Sequence, residues 1–227
     1  YGASSDLEKK RLSDKALEKW LDDEKTCFRT NLRLNQVLDG FGDEASYAAE
    51  KFFSAVRKNV RRLIGEGPNT LVGHFGKGTT FQHKGKRCLI PDKLCAYPEL
   101  TRNAIHLTGP FLLQNQIWAR GVERALFTDM RPVGKFVLVD GNRWSSVPKN
   151  MDTDRSIGIE PTFNLWYQLG IGGEMKARLG RRGLLLPNGK SEKLHREMAQ
   201  YGSLTGELAT IDLRSASDTV STSLVRL

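Results

Sequence analysis

Four charged side chains in the second half of the chain have types and spacings suited to phosphate chemistry. A short β-rich run that begins at Ala209 ends at Asp212, and a turn of mainly small residues then leads to Asp218. Upstream, Lys149 and Arg155 flank a polar loop. A carboxylate at the end of a buried strand is a common ligand of the divalent ion in phosphoryl-transfer enzymes, whereas Lys and Arg together suit a triphosphate. These acids and bases therefore predict nucleotide chemistry.

The acid-bearing stretch is predicted to fold as a strand, a tight turn and a helix. The β-rich run at 209–211, in which apolar Ile211 precedes Asp212, places Asp212 at the end of the strand. Val220 and Leu224 then recur at helical spacing, so Asp218 is expected near a helix N-terminus, where it would also serve as a cap. Two aspartates separated by five residues are too common a pattern to identify a function alone.

The two basic residues are predicted to lie on a hairpin. Strands over 146–149 and 155–160 are joined by the polar loop 150–154, and Arg143 adds a further cation to the same surface. The loop begins like a calcium-binding loop but lacks its glycine, and Pro161 stands where the closing glutamate belongs. A surface hairpin with two basic residues is common, so this signal too is weak alone.

The bulk composition favours an acidic partner. Lys and Arg number 35 against 26 Asp and Glu, which gives a net charge of +9, and nucleic acid is the usual partner of such a surplus. The three cysteines form no Cys-x-x-Cys pair, which is typical of a reducing cytosol rather than a disulfide framework. Since no apolar run approaches the ~18 residues of a membrane span, no membrane association is expected.

The first half of the chain is predicted to be mainly helical. A charged helix, or two short ones, is expected over 6–24 with Ser13 as a cap. Apolar residues recur every three or four positions over 44–64, and Gly65 should end that helix. Four basic residues on its last turns suit either the helix dipole or a phosphate: Arg57, Lys58, Arg61 and Arg62. The other predictions here are loops and short strands over 65–97 and a helix over 105–127 interrupted at Gly109-Pro110.

Further elements are predicted around the two motifs. The β-run 135–139 ends at the turn Asp140-Gly141-Asn142 and is expected to pair with 143–147. Two helices follow: one over 162–179, begun by Pro161 and ended by Gly183, and one over 192–201, capped by Ser191 and closed by Gly202.

Two superficial site patterns fail on their spacing. In Gly73–Thr80, Lys77 precedes Gly78, whereas the lysine of a P-loop directly follows the corresponding glycine. No strong strand leads into this segment. His74, His83, Cys88 and Cys95 match no common spacing of zinc ligands. We therefore expect neither a P-loop nor a zinc site in this region.

From about residue 143 to residue 221 the sequence resembles the replicase β subunit of positive-strand RNA bacteriophages, the levivirus-type RNA-dependent RNA polymerases. Several spaced phrases agree jointly, which makes the resemblance specific over about a third of the chain. The matching phrases are Val147-Pro-Lys-Asn150, Asp154-Arg155, Glu160-Pro161, Gly170-Ile-Gly172, Gln200-Tyr-Gly-Ser203 and Leu208–Asp218.

The resemblance implies an α+β right-hand polymerase fold, of which the chain would contain the fingers and the beginning of the palm. The expected divisions are an N-terminal helical and fingers region over 1–134, fingers with the basic hairpin over 135–182, and the start of the palm over 183–227. Both termini look cut, so the chain is expected to be a fragment.

The resemblance also implies roles for the candidate residues. Asp212 would be the first catalytic, metal-binding aspartate of the palm, with the carbonyl of Leu213 assisting, and the ion would be Mg²⁺ or alternatively Mn²⁺. The segment Lys149–Arg155, with Arg143, would bind the triphosphate of the incoming nucleotide. Asp218 would sense the ribose 2′-hydroxyl, and the small residues of the turn favour RNA synthesis over DNA synthesis.

One departure concerns catalysis. The second metal-binding element of the family, Gly-Asp-Asp, does not occur in the sequence, and two-metal catalysis needs both carboxylate sets. The chain by itself is therefore expected to be inactive. Two alternatives are a non-catalytic basic RNA-binding module and a reverse-transcriptase-like enzyme, the latter disfavoured because the acid-bearing turn contains no aromatic residue.

The resemblance finally implies partners and a location. RNA template and product, nucleoside triphosphates, host translation elongation factors and a ribosomal protein are the expected partners. The expected location is the cytoplasm of the bacterial host.

Overall fold

Helices and short strands are mixed along the chain, which is compatible with an α+β class. A computed structural model describes residues 6–39, 44–67, 71–120, 136–184 and 189–227. The right-hand polymerase fold, with its divisions at 1–134, 135–182 and 183–227, stays a prediction. The elements are helices α1 (Asp6–Leu38), α2 (Glu44–Ile64), α3 (Ile90–Leu94), α4 (Thr108–Gln114), α5 (Thr162–Arg181), α6 (Lys190–Thr205) and α7 (Thr222–Arg226), a 3₁₀ helix (Arg102–Leu107), and strands β1 (Glu99–Thr101), β2 (Val137–Val139), β3 (Arg143–Pro148) and β4 (Asp154–Ile159).

The chain divides into two compact units. The helical unit combines residues 1–67, 152–154 and 175–227, and the hairpin unit combines residues 68–151 and 155–174. Within the residues that the structure describes, no helix is both long enough and apolar enough to cross a membrane.

Helix α1 is longer than predicted. The sequence suggested a helix ending near residue 24, whereas α1 continues unbroken to Leu38, and Ser13 lies inside it rather than at its start. No glycine or proline occurs between Asp6 and Leu38, so nothing in the local sequence stops the helix. Intrahelical pairs such as Lys25 with Asp22, at 2.8 Å, add the usual support for a charged helix.

Helix α2 agrees with the prediction over its whole length. It ends where Gly65 adopts a φ of +72° and donates its N–H to the Arg61 carbonyl at 2.7 Å. The guanidinium of Arg178, on α5, donates to the carbonyls of Ile64 and Glu66. The last carbonyls of α2 therefore have cationic donors, which also complement the negative end of the helix dipole.

An aromatic core organises the hairpin unit. On α5, Phe163, Trp166 and Tyr167 share one helical face, because their spacings of three and four residues return the chain to the same side. These side chains surround Phe111 of α4, which is fully buried and lies edge-to-face with Phe163 and Trp166 at centroid distances of 5.1 and 5.0 Å. Leu100 of β1 and Ala104 complete the buried cluster.

The predicted pairing of β2 was wrong. It was expected to pair with 143–147, but β2 lies parallel to β1 with Leu138 opposite Leu100, and β3 pairs with β4 instead. Phe136 packs against the aromatic core, which holds β2 next to the buried β1. Strand β3 pairs with β4 across a five-residue loop. A connection that short permits only an antiparallel hairpin. The hairpin prediction is therefore confirmed, while Lys135 lies outside the described residues.

Several helix boundaries also differ from prediction. Gly109 and Pro110 occupy the first turn of α4 instead of interrupting a helix. Proline is tolerated in the first turn because an N–H there would have no intrahelical acceptor. The part of that predicted helix at 121–127 lies outside the described residues. Between 71 and 97 the short helix α3 replaces the expected strands.

Helices α5 and α6 were each predicted to end at a particular glycine, and this prediction is confirmed for α5 and wrong for α6. Helix α5 follows Pro161 and ends before Gly183, as predicted, with a φ of +71° at Gly183. Helix α6 instead begins after Gly189 and runs past Gly202 to Gly206. A Cβ at Gly202 would lie 2.7 Å from the Leu208 carbonyl oxygen, so that glycine allows a close approach and does not end the helix. Ser191 consequently lies inside α6 and is not its cap.

Candidate functional site

The acid-bearing turn, residues 209–221, contains a turn and a helix start but no strand. Residues 207–213 have no regular structure, contrary to the prediction. A strand requires a hydrogen-bonded neighbour, and none of the described residues forms a ladder with this segment. The turn at 214–219 is as predicted: Ser215 has a φ of +53°, and its carbonyl accepts the N–H of Thr219 at 3.0 Å.

The cap of α7 is Ser221, whose hydroxyl accepts the N–H of Leu224 at 3.4 Å. The prediction that Asp218 could cap this helix was therefore wrong, because the helix begins three residues later than the apolar spacing suggested. The Asp218 carboxylate is consequently not engaged with the backbone amides of α7, and its contacts lie elsewhere.

Asp212 and Leu213 lie in the irregular segment and are exposed, with Leu213 at 69%. No group of three His, Cys, Asp or Glu side chains that could hold a metal ion is found among the described residues. One carboxylate and one backbone carbonyl are oxygen donors of the kind that Mg²⁺ prefers, but they supply only part of its octahedral set. The residues present therefore fit a divalent ion that takes its remaining ligands from water, substrate or other carboxylates.

Asp218 is held by a lysine of α1. The ammonium of Lys19 lies 3.5 Å from the Asp218 carboxylate, 2.6 Å from that of Asp23, and donates to the hydroxyl of Ser215 at 2.8 Å. The hydrogen bond from Lys19 to Asp23 is the main cause of a raised pKa for Lys19, and the charge of Asp218 adds to it. Lys19 therefore remains a cation and orients the Asp218 side chain.

Further polar contacts attach the start of α7 to α1. The Asn31 side-chain oxygen accepts the N–H of Ser223 at 2.9 Å, and the Asn35 oxygen accepts the Ser223 hydroxyl at 2.7 Å. The thiol of Cys27 donates to the Asp218 carbonyl at 3.4 Å. Both ends of the turn that contains Asp218 are thus fixed by one helix.

Sequence inspection alone did not indicate these supporting residues. Lys19 and Asp23 are part of the dense run of charges over 6–24, which is typical of a solvent-exposed helix face. Lys19 and Ser215 are 196 positions apart, so no local pattern connects them. Only the packing of α1 against α7 reveals that Asp23 takes part in a network with Asp218.

The basic hairpin, β3 and β4 with the loop 149–153, presents two exposed cations. Lys149 directly follows β3 and Arg155 is the second residue of β4. Asn142 ties the base of the hairpin together by donating to the Glu160 carboxylate at 3.0 Å. Two cations on one short hairpin can converge on a single polyanion, with Arg offering planar paired donors and Lys a mobile point charge.

Arg143 has a different environment from Lys149 and Arg155. It is half-buried at the start of β3, and its guanidinium carbon lies 5.3 Å from the centroid of the Phe81 ring. This distance is that of a cation–π contact. The candidate residues thus form two sets: Arg143, Lys149 and Arg155 in the hairpin unit, and Asp212, Leu213 and Asp218 in the helical unit.

Comparisons with known proteins agree on one family. A family model described as RNA replicase, beta-chain, matches residues 1–227. The chain is 43% identical over 229 aligned residues to the RNA-directed RNA polymerase beta chain of Enterobacteria phage GA, covering 98% of this chain and 40% of the relative. It is 30% identical over 223 residues to the RNA-directed RNA polymerase subunit beta of Escherichia virus Qbeta, covering 93% of this chain and 34% of the relative.

A third relative is the RNA-directed RNA polymerase beta chain of Escherichia phage MS2, 30% identical over 217 residues and covering 87% of this chain. The match again includes only 37% of that relative. The chain therefore spans well under half the length of the curated relatives it matches.

Proposed function

Because the chain belongs to the family of RNA replicase beta chains, we propose that it forms the nucleotide-binding part and the first metal-binding part of an RNA-directed RNA polymerase that replicates a phage RNA genome. The observation on which this proposal mainly rests is that one chain of this family contains both an exposed basic hairpin and an exposed acid-bearing turn. The net charge of +9 supports RNA as the macromolecular partner.

In the proposed reaction the 3′-hydroxyl of the growing RNA attacks the α-phosphate of a nucleoside triphosphate and pyrophosphate leaves. A divalent ion, Mg²⁺ or Mn²⁺, would stabilise the charge that develops in this displacement. The Asp212 carboxylate and the Leu213 carbonyl would provide two of its ligands. Lys149 and Arg155 would neutralise the triphosphate, and Arg143 would add charge beside them.

Asp218 is proposed to accept a hydrogen bond from the ribose 2′-hydroxyl. Its carboxylate is already oriented by Lys19, at 3.5 Å, and by the Ser217 hydroxyl, which donates to it at 3.2 Å. The side chain is still 48% exposed, which leaves room for a further donor. A preorganised acceptor surrounded by small residues favours a ribonucleotide over a deoxyribonucleotide.

We further propose that this chain alone does not polymerise RNA. Its sequence has no Gly-Asp-Asp segment, so one of the two carboxylate sets required around a pair of metal ions is missing. RNA template and product, host translation elongation factors and a ribosomal protein are proposed as partners of the whole polymerase. The cytoplasm of the infected bacterium is the proposed location.

The experiment that tests the proposal measures binding of fluorescently labelled GTP to the purified chain with and without Mg²⁺. We expect Mg²⁺ to strengthen binding, Asp212→Asn to remove that gain, and the double variant Lys149→Ala/Arg155→Ala to weaken binding at least tenfold, since two charge-assisted contacts of about 1.5–3 kcal/mol each are lost. The double variant Lys190→Ala/Arg196→Ala, with the same charge change on α6, is the matched control.

Two results would contradict the proposal. If Mg²⁺ leaves GTP binding unchanged and Asp212→Asn alters only stability, the chain behaves as the alternative, a basic RNA-binding module without chemistry. Template-dependent incorporation by the chain alone would contradict its proposed inactivity.

A further inference from the structure

A segment of the hairpin unit that has no role in the proposed reaction is strongly basic. Residues 67–91 contain no aspartate or glutamate. Four cations in this segment are exposed to solvent, and none forms an ion pair with a carboxylate in the part of the chain that the structure describes: Lys77, Lys84, Lys86 and Arg87. We call residues 77–88 the basic loop.

The basic loop is closed by its own backbone. The N–H of Gly78 donates to the Cys88 carbonyl at 3.2 Å, which joins the two ends of the loop. Inside it, the N–H of Arg87 donates to the Lys84 carbonyl at 3.1 Å, and Gly85 has a φ of +58°, so a tight turn presents three of the cations together. The backbone of the loop is therefore ordered before a ligand binds, which lowers the entropic cost of binding.

Buried polar groups support the loop from below. The ammonium of Lys93, which is 1% exposed, donates to the carbonyls of Gly76 and Gly78 at 2.6 and 2.7 Å. Thr80 is fully buried and accepts the hydroxyl of Thr162 at 2.8 Å. Buried hydrogen bonds at its base fix the backbone positions from which the cations of the loop extend.

The basic loop is attached to the basic hairpin. The N–H of Phe81 donates to the carbonyl of Glu160, directly after β4, at 3.0 Å. The Phe81 ring also lies against the Arg143 guanidinium. The Phe81 ring is therefore engaged with the hairpin, and the exposed groups of the loop are cations suited to phosphates rather than a stacking platform for bases.

We propose that the basic loop binds the phosphate backbone of an RNA strand, independently of base sequence, beside the hairpin that binds the nucleotide. The proposal rests on the proposed function for the identity of the polyanion. An RNA strand that serves as template or product must run next to the incoming nucleotide. Four exposed cations that form no ion pair within the described ranges, on a loop that is hydrogen-bonded to the hairpin, provide a phosphate contact there.

The test measures binding of fluorescein-labelled oligouridylate to the purified chain by fluorescence anisotropy over a range of salt concentrations. Each phosphate contact to a single strand contributes about 0.7 to the slope of log affinity against log salt, so the triple variant Lys84→Gln/Lys86→Gln/Arg87→Gln should lower that slope by up to about 2. We expect at least a tenfold loss of affinity at low salt. The control is Lys190→Gln/Lys193→Gln/Arg196→Gln on α6, which removes three charges elsewhere and should change the slope less.

The outcomes separate this inference from the proposed function. If both triple variants lose the same affinity and slope, binding depends only on net charge and the inference is overturned. It is also overturned if the loop variant binds RNA like the wild type; in that case the GTP experiment still tests the proposed function independently.

Binding of labelled GTP should persist in the loop variant. If it is lost while the circular dichroism spectrum is unchanged, the loop binds the nucleotide and not the RNA backbone. A variant misfolded by circular dichroism is replaced by the single changes Lys84→Gln and Lys86→Gln, each expected to lower the slope by about 0.7.

Discussion

The hairpin unit and the helical unit are each stabilised internally by a different kind of interaction. The hairpin unit surrounds Phe111 with aromatic rings, and the cations of its basic loop are exposed, as are Lys149 and Arg155 of the basic hairpin. Among the described residues of the helical unit, the buried apolar ones are Ala16 and Cys27, and polar side chains attach α7 to α1. Large apolar residues of the helical unit stay exposed, such as Phe52 at 63% and Val225 at 76%.

The two kinds of interaction have different consequences: one contributes to the free energy of unfolding and the other to the position of the acid-bearing turn. Apolar burial contributes the largest favourable term in folding, whereas exposed polar contacts contribute little free energy but fix geometry. We therefore expect substitutions in the hairpin unit to change the free energy of unfolding, and substitutions at the contact of α1 with the acid-bearing turn to change local order.

The largest expected effect is that of Phe111→Ala. The side chain is fully buried and lies edge-to-face with several rings, so its removal should cost about 3–5 kcal/mol of unfolding free energy. Urea denaturation followed by tryptophan fluorescence measures this, because three of the four tryptophans lie in the hairpin unit. Phe52→Ala in α2 is the control and should change stability by less than about 0.5 kcal/mol. Equal losses in the two variants would show that the aromatic core is not the main source of stability.

A medium effect is expected for Lys93→Met. The two carbonyls beneath the basic loop lose their charged donor, and leaving such groups unsatisfied costs about 1–3 kcal/mol. Exposed Lys77 provides the control variant Lys77→Met, expected to be nearly neutral.

The same residue gives the stability of the protein a defined pH dependence. Burial lowers the pKa of Lys93, so the unfolded chain binds this proton more tightly than the folded chain does. The unfolding free energy of the wild type, relative to Lys93→Met, should therefore rise with pH in the alkaline range, up to about pH 10 where a free lysine titrates. A difference that is flat or falls over this range would mean that the Lys93 ammonium is not buried.

The predictions from sequence succeeded where the signal was local. Helix α2 and the start and end of α5 follow from apolar spacing together with Gly65, Pro161 and Gly183. The hairpin was predictable because its strands are joined by a short polar loop. These features depend on residues a few positions apart.

The failures concern partners distant in the chain. The short run before Asp212 has strand-like composition, but a strand also needs a neighbour, which composition does not specify. β2 pairs with β1 because Phe136 packs against the aromatic core, and that core is assembled from four separate segments. For the candidate site, the roles of Asp212, Asp218, Lys149 and Arg155 stay predictions. Their spacing gave no sign that Lys19 holds Asp218.

The smallest expected effect on stability is that of Lys19→Met, and it tests whether α1 positions the acid-bearing turn. Exposed ion pairs are worth about 0.2–1 kcal/mol, so global stability should hardly change. Local exchange of the amide hydrogens at 214–221 should accelerate by up to about fivefold, the factor that corresponds to 1 kcal/mol. Because Asp23 raises the pKa of Lys19, this protection should persist at neutral pH and be lost only as pH rises past the ordinary lysine range.

The matched control for Lys19→Met is Lys25→Met, since the ion pair that Lys25 forms among the described residues, with Asp22 at 2.8 Å, lies within α1. Hydrogen exchange followed by mass spectrometry should show faster exchange at 214–221 for Lys19→Met and not for Lys25→Met. High salt should reduce the difference, because screening weakens an exposed pair in the wild type. If the two variants exchange alike, the turn that contains Asp218 is ordered by its own backbone bonds, such as that from Thr219 to Ser215, and α1 does not position it.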